Sequence, residues 1–360
     1  MRYARRCWHP SAVSRFCLHM FSITPRHDCL YLISSFQCFM KNIFHNISED
    51  QRIRAARTSY AFGAVERTKN DGSTPPFLDM TSARDNMAMQ EIQRHVQGHG
   101  GDSQKSQKSL LQALELRQEY QLDEMRFCFH DDNANDGNND RRKWRELLMH
   151  DFKRQPMLVC AHDNQSRAVV YKSARRMPWG EDSIDHEAYL LAQLYVAERA
   201  IAVSEYNNTR HHDDDSTLLS KTTKKKKNQK ITVLFSFQSY SSSNAPALST
   251  LTKSTVLLQQ LYPERLQSLC ILDPPFWMRA TYNLIYPFLS EAVCSKVKLV
   301  SGADAIETML ASTLDSENRA HLDAISEMIR QEEESSSTST VLQEMAKGYF
   351  QSNVYHIYKQ

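Results

Sequence analysis

The sequence predicts an α/β protein: a mostly parallel β-sheet covered by helices, preceded by a small helical lobe. Three observations carry this. Ile231–Phe237, ITVLFSF, is rich in β-branched and aromatic residues and reads as a strand. Ala245–Leu261 follows with Leu248, Leu251, Val256, Leu257 and Leu261 as the apolar residues of a helix. Leu266–Leu272 is then a short apolar run stopped by Pro274–Pro275, neither of which can donate to a strand ladder. Strand, helix and strand in that order form a βαβ unit, which implies parallel pairing and a right-handed crossover.

Taken in order, the chain opens on a basic stretch. Met1–His27 has no acidic residue and carries Arg2, Arg5, Arg6, Arg15 and Arg26. It suits an organelle transit segment, an unstructured basic tail, or a start codon placed too far upstream. Glu49–Gln107 is polar and reads as a flexible linker, its His95 and His99 at no ligand spacing. Residues 1–107 are therefore expected to be a disordered or targeting region. The helical lobe spans 108–156. Within it, Ser109–Phe129 has a helical period through Leu110, Leu111, Leu114, Leu122 and Met125, and Arg142–Phe152 has Trp144, Leu147, Leu148 and Phe152 near one face.

The main domain is expected over 157–302. Met157–Cys160 and Ala168–Tyr171 are short strands around a turn, Asp163–Ser166. Asp185–Tyr206 is a helix apolar on most sides, hence buried, with Glu198–Arg199 read as an ion pair. Residues 207–230 form a charged insertion, holding His211–His212, Asp213–Asp215 and Lys224–Lys227. Its lysines suit either anionic headgroups or plain solvation. Pro263 and the pre-proline restriction on Tyr262 end the helix before them. Phe276–Leu289 reads as an aromatic-rich helix and Val293–Val300 as a strand stopped by Gly302. Residues 303–360 supply C-terminal helices, Ala303–Leu314 and Glu317–Glu334, with a last element over Val341–Tyr358.

Composition excludes several functions. A net charge of +2 over 360 residues gives no basis for nucleic-acid binding. No apolar run reaches the roughly 18 residues a spanning helix needs. Eight cysteines include no Cys-x-x-Cys pair, so neither zinc nor thiol redox chemistry is indicated, and Cys270 and Cys294 read as buried thiols of a reducing compartment. Ser236, Ser239 and Ser241 follow a strand but lack the Gly-x-Ser-x-Gly elbow of a hydrolase. No His-Glu-x-x-His and no phosphate loop occur. The expectation is a protein that is not an enzyme, with no metal and no cofactor.

Four elements stand in one order within forty residues: Tyr262-Pro263-Glu264-Arg265, Asp273-Pro274-Pro275, Pro287-Phe288-Leu289 and Ser295-Lys296. Together they resemble the CRAL-TRIO lipid-binding family, which includes phosphatidylinositol and phosphatidylcholine transfer proteins and the tocopherol and retinaldehyde carriers. The resemblance implies an apolar lipid cavity closed by a gating helix. It places Phe235, Phe237, Phe276, Trp277, Tyr282, Ile285 and Phe288 at the cavity or gate, and Glu264 and Lys296 at the lipid head-group, with a structural salt bridge as the other role open to that pair. Three departures stand out. The Asp and Gly that follow the family's central strand are replaced by Ser236 and Ser239, the Asn-Ala-Pro turn is Asp273-Pro274-Pro275, and the phosphate-holding threonine is Val293. The implied partners are a phospholipid or other hydrophobic lipid and, transiently, a membrane surface; the implied location is cytoplasmic, peripheral to membranes. The altered turns fit a second function, a non-transferring module that docks on a small G protein.

Overall fold

The structure, a computed structural model, describes residues 37, 39–59, 80–129, 139–174, 183–213, 229–238, 240, 244, 246–334 and 341–351. Five strands form one sheet in the order β1-β2-β3-β4-β5: Met157–His162, Ala168–Ser173, Ile231–Ser236, Leu266–Leu272 and Val297–Val300. β1 and β2 are an antiparallel hairpin, and every later pairing is parallel. Asp163 shapes the hairpin turn: its Oδ1 accepts from the amides of Gln165 and Arg167, and its Oδ2 takes the Arg167 guanidinium at 2.6 Å.

The helices are α1 Glu49–Arg57, α2 Met80–Gly98, α3 Ser103–Glu119, α4 Leu122–Met125, α5 Asn139–Arg154, α6 Ser183–Asp213, α7 Leu248–Leu261, α8 Phe276–Ile285, α9 Glu291–Cys294, α10 Ala303–Thr313, α11 Ser316–Glu334 and α12 Val341–Gln351. From β2 to β5 each strand is added on the same side of its predecessor. Right-handed crossovers therefore put α6, α7 and the α8–α9 segment on one face of the sheet, here the front. α10 and α11 return across the rear face, where Tyr171 reaches Ser326 at 3.4 Å and Asn318 accepts from the His162 amide. α12 shields the β1 edge: the Val159 amide donates to the Tyr349 hydroxyl, and Phe350 stacks on Phe129 at 4.5 Å.

Cross-strand register assigns the faces. One row runs Val170, Val233, Leu269, Val297, and the next Lys172, Phe235, Ile271, Leu299, both on the front. The alternate rows face the rear and include Leu234, Cys270 and Leu272, part of the main core with Leu310, Leu314 and Leu322. A second core, built on Ile47, Ala55, Ala88, Ile92 and Val96, belongs to the segment before α1, α1 itself, α2 and the middle of α3.

Several expectations change. The linker expected over Glu49–Gln107 contains α1 and α2. Ser48 and Gln51 form a capping box that starts α1, and Ala88, Ile92 and Val96 give α2 a narrow buried stripe despite its polar composition. α6 continues to Asp213, into the expected insertion. The helix expected over Phe276–Leu289 ends at Ile285 and tightens to a 3₁₀ turn, Tyr286–Phe288, around Pro287. The strand expected from Val293 begins at Val297, because Ser290 caps a helical turn over Glu291–Cys294 by accepting from the Val293 amide. Cys270 is buried, whereas Cys294 is only half-buried. The basic segment Met1–His27, the lysine run Lys224–Lys227 and the side chains of His211 and His212 lie outside the described residues.

Candidate functional site

Tyr262–Arg265 leaves α7 and enters β4, and each of its four residues is held by another element. The Tyr262 hydroxyl donates to Glu198 Oε1 at 2.8 Å. Pro263 packs on Gly98, whose added Cβ would lie 3.6 Å from the proline ring. Arg265 lies 3.6 Å from Glu91 and donates to the side chain of Gln229. Glu264, in the left-handed region at φ 56°, turns its carboxylate to Lys296 Nζ at 3.2 Å and Lys230 Nζ at 3.8 Å. The motif therefore clamps the helical lobe, through α2 and α3, to the sheet domain.

Two buried charge clusters form this clamp. Glu198 accepts from Arg117 at 2.6 Å and Arg126 at 3.4 Å as well as from Tyr262, and Arg117 also reaches Asp123 at 2.8 Å. The adjacent Arg199 turns elsewhere, to the Tyr195 hydroxyl and the Tyr349 carbonyl, so the expected Glu198–Arg199 pair does not form. Neighbours on a helix diverge by about 100°. In the second cluster Glu91 meets Arg94, His95 and Arg265. Burial opposes its ionisation, yet Arg94, the His95 hydrogen bond and Arg265 hold the carboxyl well below the usual range. Burial and the nearby Arg94 push Arg265 down to about 10, which leaves it charged at neutral pH. Burial and the Glu198 charge push the Tyr262 phenol well up, so it stays a donor.

The aromatic helix α8 sits at the other end of β4. Asp273, also left-handed at φ 47°, accepts from the Gly302 amide at 3.0 Å, and its own amide donates to Val300. This closes the C-terminal ends of β4 and β5 and explains the acidic residue in the turn. Pro274–Pro275 then launches α8, whose principal backbone neighbour is the 3₁₀ turn after it, not a strand. Its far end is tethered by Gln259 of α7, which donates to the Phe288 carbonyl at 2.9 Å and accepts from the Ser290 amide at 2.8 Å.

α8 is apolar yet open. Phe276 is 91% exposed, and Leu284, Tyr286 and Phe288 are each about half exposed. Tyr282 and Ile285 are half-buried; the Trp277 side chain lies outside the described residues. The front of the sheet over β3–β5 is apolar and incompletely covered. Phe235, Leu269 and Val297 are half-buried and Leu299 is 39% exposed, while Phe237 and Ile271 are buried. These residues make an apolar, partly exposed trough floored by β3–β5. A separate cleft of about 510 Å³ lies between the lobes, lined by Tyr120, Trp144, His186, Leu190, Leu191 and Thr250 among others.

Ser236 caps the end of β3, where its Oγ accepts from the Gln238 amide at 3.4 Å, and no histidine among the described residues bonds it. No cluster of three metal-ligating side chains occurs among them either. Among the same residues no helix is long and apolar enough to cross a membrane.

Sequence spacing could not reveal the buried cations Arg117 and Arg126, which reach Glu198 from 81 and 72 residues away. Nor could it reveal Lys172, which meets Tyr189 and Phe235 only through the fold.

Comparison with known proteins bears on residues 152–318, which match the family described as the CRAL/TRIO domain. One curated relative is the phosphatidylinositol transfer protein PDR17 of Saccharomyces cerevisiae, 34% identical over 73 residues, a match that covers 19% of this chain and 21% of PDR17. The match thus spans about a fifth of that protein's length. The crystal structure of Sfh5 superposes with a TM-score of 0.38 at 15% identity, over 57% of this chain and 62% of Sfh5.

Proposed function

We propose, from the match of residues 152–318 to the CRAL/TRIO domain, that this protein binds a hydrophobic lipid on the front of its sheet and carries or presents it between membranes. Proteins of this family bind lipids and transfer them. The observation that carries the proposal is the pairing of two exposed apolar surfaces: the trough of Phe235, Leu269, Val297 and Leu299, and the aromatic helix α8 that stands beside it. Exposed apolar area of this kind, in contiguous elements, marks a surface that meets something apolar.

The mechanism is physical. α8 and the 3₁₀ turn after it enter the interfacial region of a bilayer through Phe276 and Phe288, acyl or isoprenoid chains leave the bilayer for the trough, and the helix closes over them. Each buried methylene then contributes about 0.8 kcal/mol. No bond is made or broken. At the N-terminal end of β4 and β5, Lys296 and Lys230 offset phosphate charge while Glu264 orients Lys296 or accepts from a head-group hydroxyl. The Glu264–Lys296 ion pair supports this arrangement and serves as its resting state.

A vesicle assay tests the proposal. Fluorescent phospholipid in donor vesicles is expected to move to acceptor vesicles in proportion to added protein. No transfer of phospholipid, sterol or isoprenoid, and no protection of a probe lipid from quencher, would leave only the non-transferring interaction module.

A further inference from the structure

Lys172 is an anomaly on the front face. It lies near the C-terminal end of β2, 6% exposed, in the row Lys172, Phe235, Ile271, Leu299, and borders the floor of the trough at Phe235. An ammonium that deep is costly unless an opposite charge meets it. Here none does. Its Nζ donates once, to the neutral Tyr189 hydroxyl at 3.1 Å, and sits 4.7 Å from the Tyr189 ring and 4.9 Å from the Phe235 ring. No carboxylate lies within ion-pair distance among the described residues, and two of its three N–H groups have no partner there.

The surroundings are those of a receptor rather than of a structural ion pair. Phe235 stacks obliquely on Phe237 at 4.3 Å, and Phe237 meets Tyr240 edge-on at 5.0 Å. Aromatic faces stabilise a cation without neutralising it. They leave the amine dry, with donors to spare, at the edge of an apolar trough. The Glu264–Lys296 pair lies toward the opposite end of the strands, with Glu264 seven residues before Ile271 and Lys296 three before Leu299. A lone desolvated cation there favours a ligand that ends in negative charge.

We infer that Lys172 is the inner pole of the lipid site and that it receives an anionic oxygen group, a carboxylate or a phosphate, at the end of the bound amphiphile. The inference rests on the carrier reading and specifies its ligand class. The site takes acidic amphiphiles in preference to neutral ones of the same chain.

Competition against a fluorescent acyl probe on the full-length protein tests this with four ligands of one chain: oleic acid, oleyl phosphate, methyl oleate and oleyl alcohol. Wild type is expected to bind the acid or the phosphate about tenfold more tightly than the ester and the alcohol, the size of one charge-assisted hydrogen bond. Preference for the acid alone assigns a carboxylate, for the phosphate alone a phosphate, and for both a general anion site. Lys172→Met is expected to abolish that preference while holding methyl oleate within about twofold, and Lys172→Arg to keep it. Equal wild-type affinity for acid and ester overturns the inference yet leaves the carrier reading intact; this comparison needs no variant and so survives misfolding of Lys172→Met. A folded Lys172→Met that still prefers the acid overturns it as well. Failure of wild type to bind the probe or any of the four removes the carrier reading and this inference together.

Discussion

Tyr262 donates a 2.8 Å hydrogen bond to Glu198, joining the residue that ends α7 to the middle of α6, at the carboxylate where Arg117 and Arg126 also converge. Glu198 is 1% exposed and its three partners approach from three elements. One carboxylate thus ties the helical lobe to the sheet domain. Removing it strands two buried guanidinium groups, so Glu198→Ala is expected to cost about 3–5 kcal/mol. Tyr262→Phe removes one bond to a charged acceptor and is expected to cost about 1.5–3 kcal/mol. Urea unfolding of both variants checks the order; equal stability of Glu198→Ala and wild type would contradict it.

The second cluster makes the seam sensitive to acid. Burial opposes ionisation of Glu91, but Arg94, His95 and Arg265 hold its carboxyl well below its usual value of 4.5. A carboxyl depressed in the folded state contributes its full stabilisation above the unfolded value and loses it as pH falls below. Stability is therefore expected to decline below about pH 4.5 with a slope that Glu91→Gln flattens, as read from unfolding midpoints across pH 3–7. An identical slope in the variant would remove Glu91 from the seam.

Gln259 holds the far end of the aromatic helix by two hydrogen bonds to backbone. In Gln259→Ala those groups turn to water, at a net cost of about 1 kcal/mol. Amide exchange across residues 276–290 is expected to quicken about fivefold, with no change in β4. Unchanged exchange would mean that the helix is fixed by other contacts.

The exposed rings of α8 contribute little to folding. Phe276→Ser and Phe288→Ser are expected to shift stability by less than about 0.5 kcal/mol, the range for exposed positions. Sedimentation with liposomes is expected to fall severalfold in the double variant. Wild-type sedimentation in that variant would place the membrane contact elsewhere.

Much of this architecture was legible because it is written locally. β3 announces itself by ITVLFSF, β4 by its apolar run between Arg265 and Pro274, and the βαβ unit by their order. The unread parts depend on contacts distant in sequence or on capping that composition hides. α1 looks like solvated chain until Ser48 and Gln51 are taken as a capping box, and α2 until Ala88, Ile92 and Val96 are set on one stripe. The shortening of α8 was available in Pro287, whose ring disrupts the last turn. Glu264 and Lys296 form the ion pair that was one of the two roles open to them, whereas the clamping role of Tyr262 and Arg265 is hidden, since their partners Glu198 and Glu91 lie 64 and 174 residues away. Lys172 gave no signal in sequence, where Val-Tyr-Lys-Ser reads as an ordinary strand end.

The most direct measurement is native mass spectrometry of the full-length protein purified gently from a lipid-rich host. A population heavier than the 41.7 kDa chain by the mass of one lipid, released on denaturation and identified by fragmentation, is the expected result. A single species at the bare chain mass, unchanged after incubation with mixed-lipid vesicles, would contradict lipid binding by the trough.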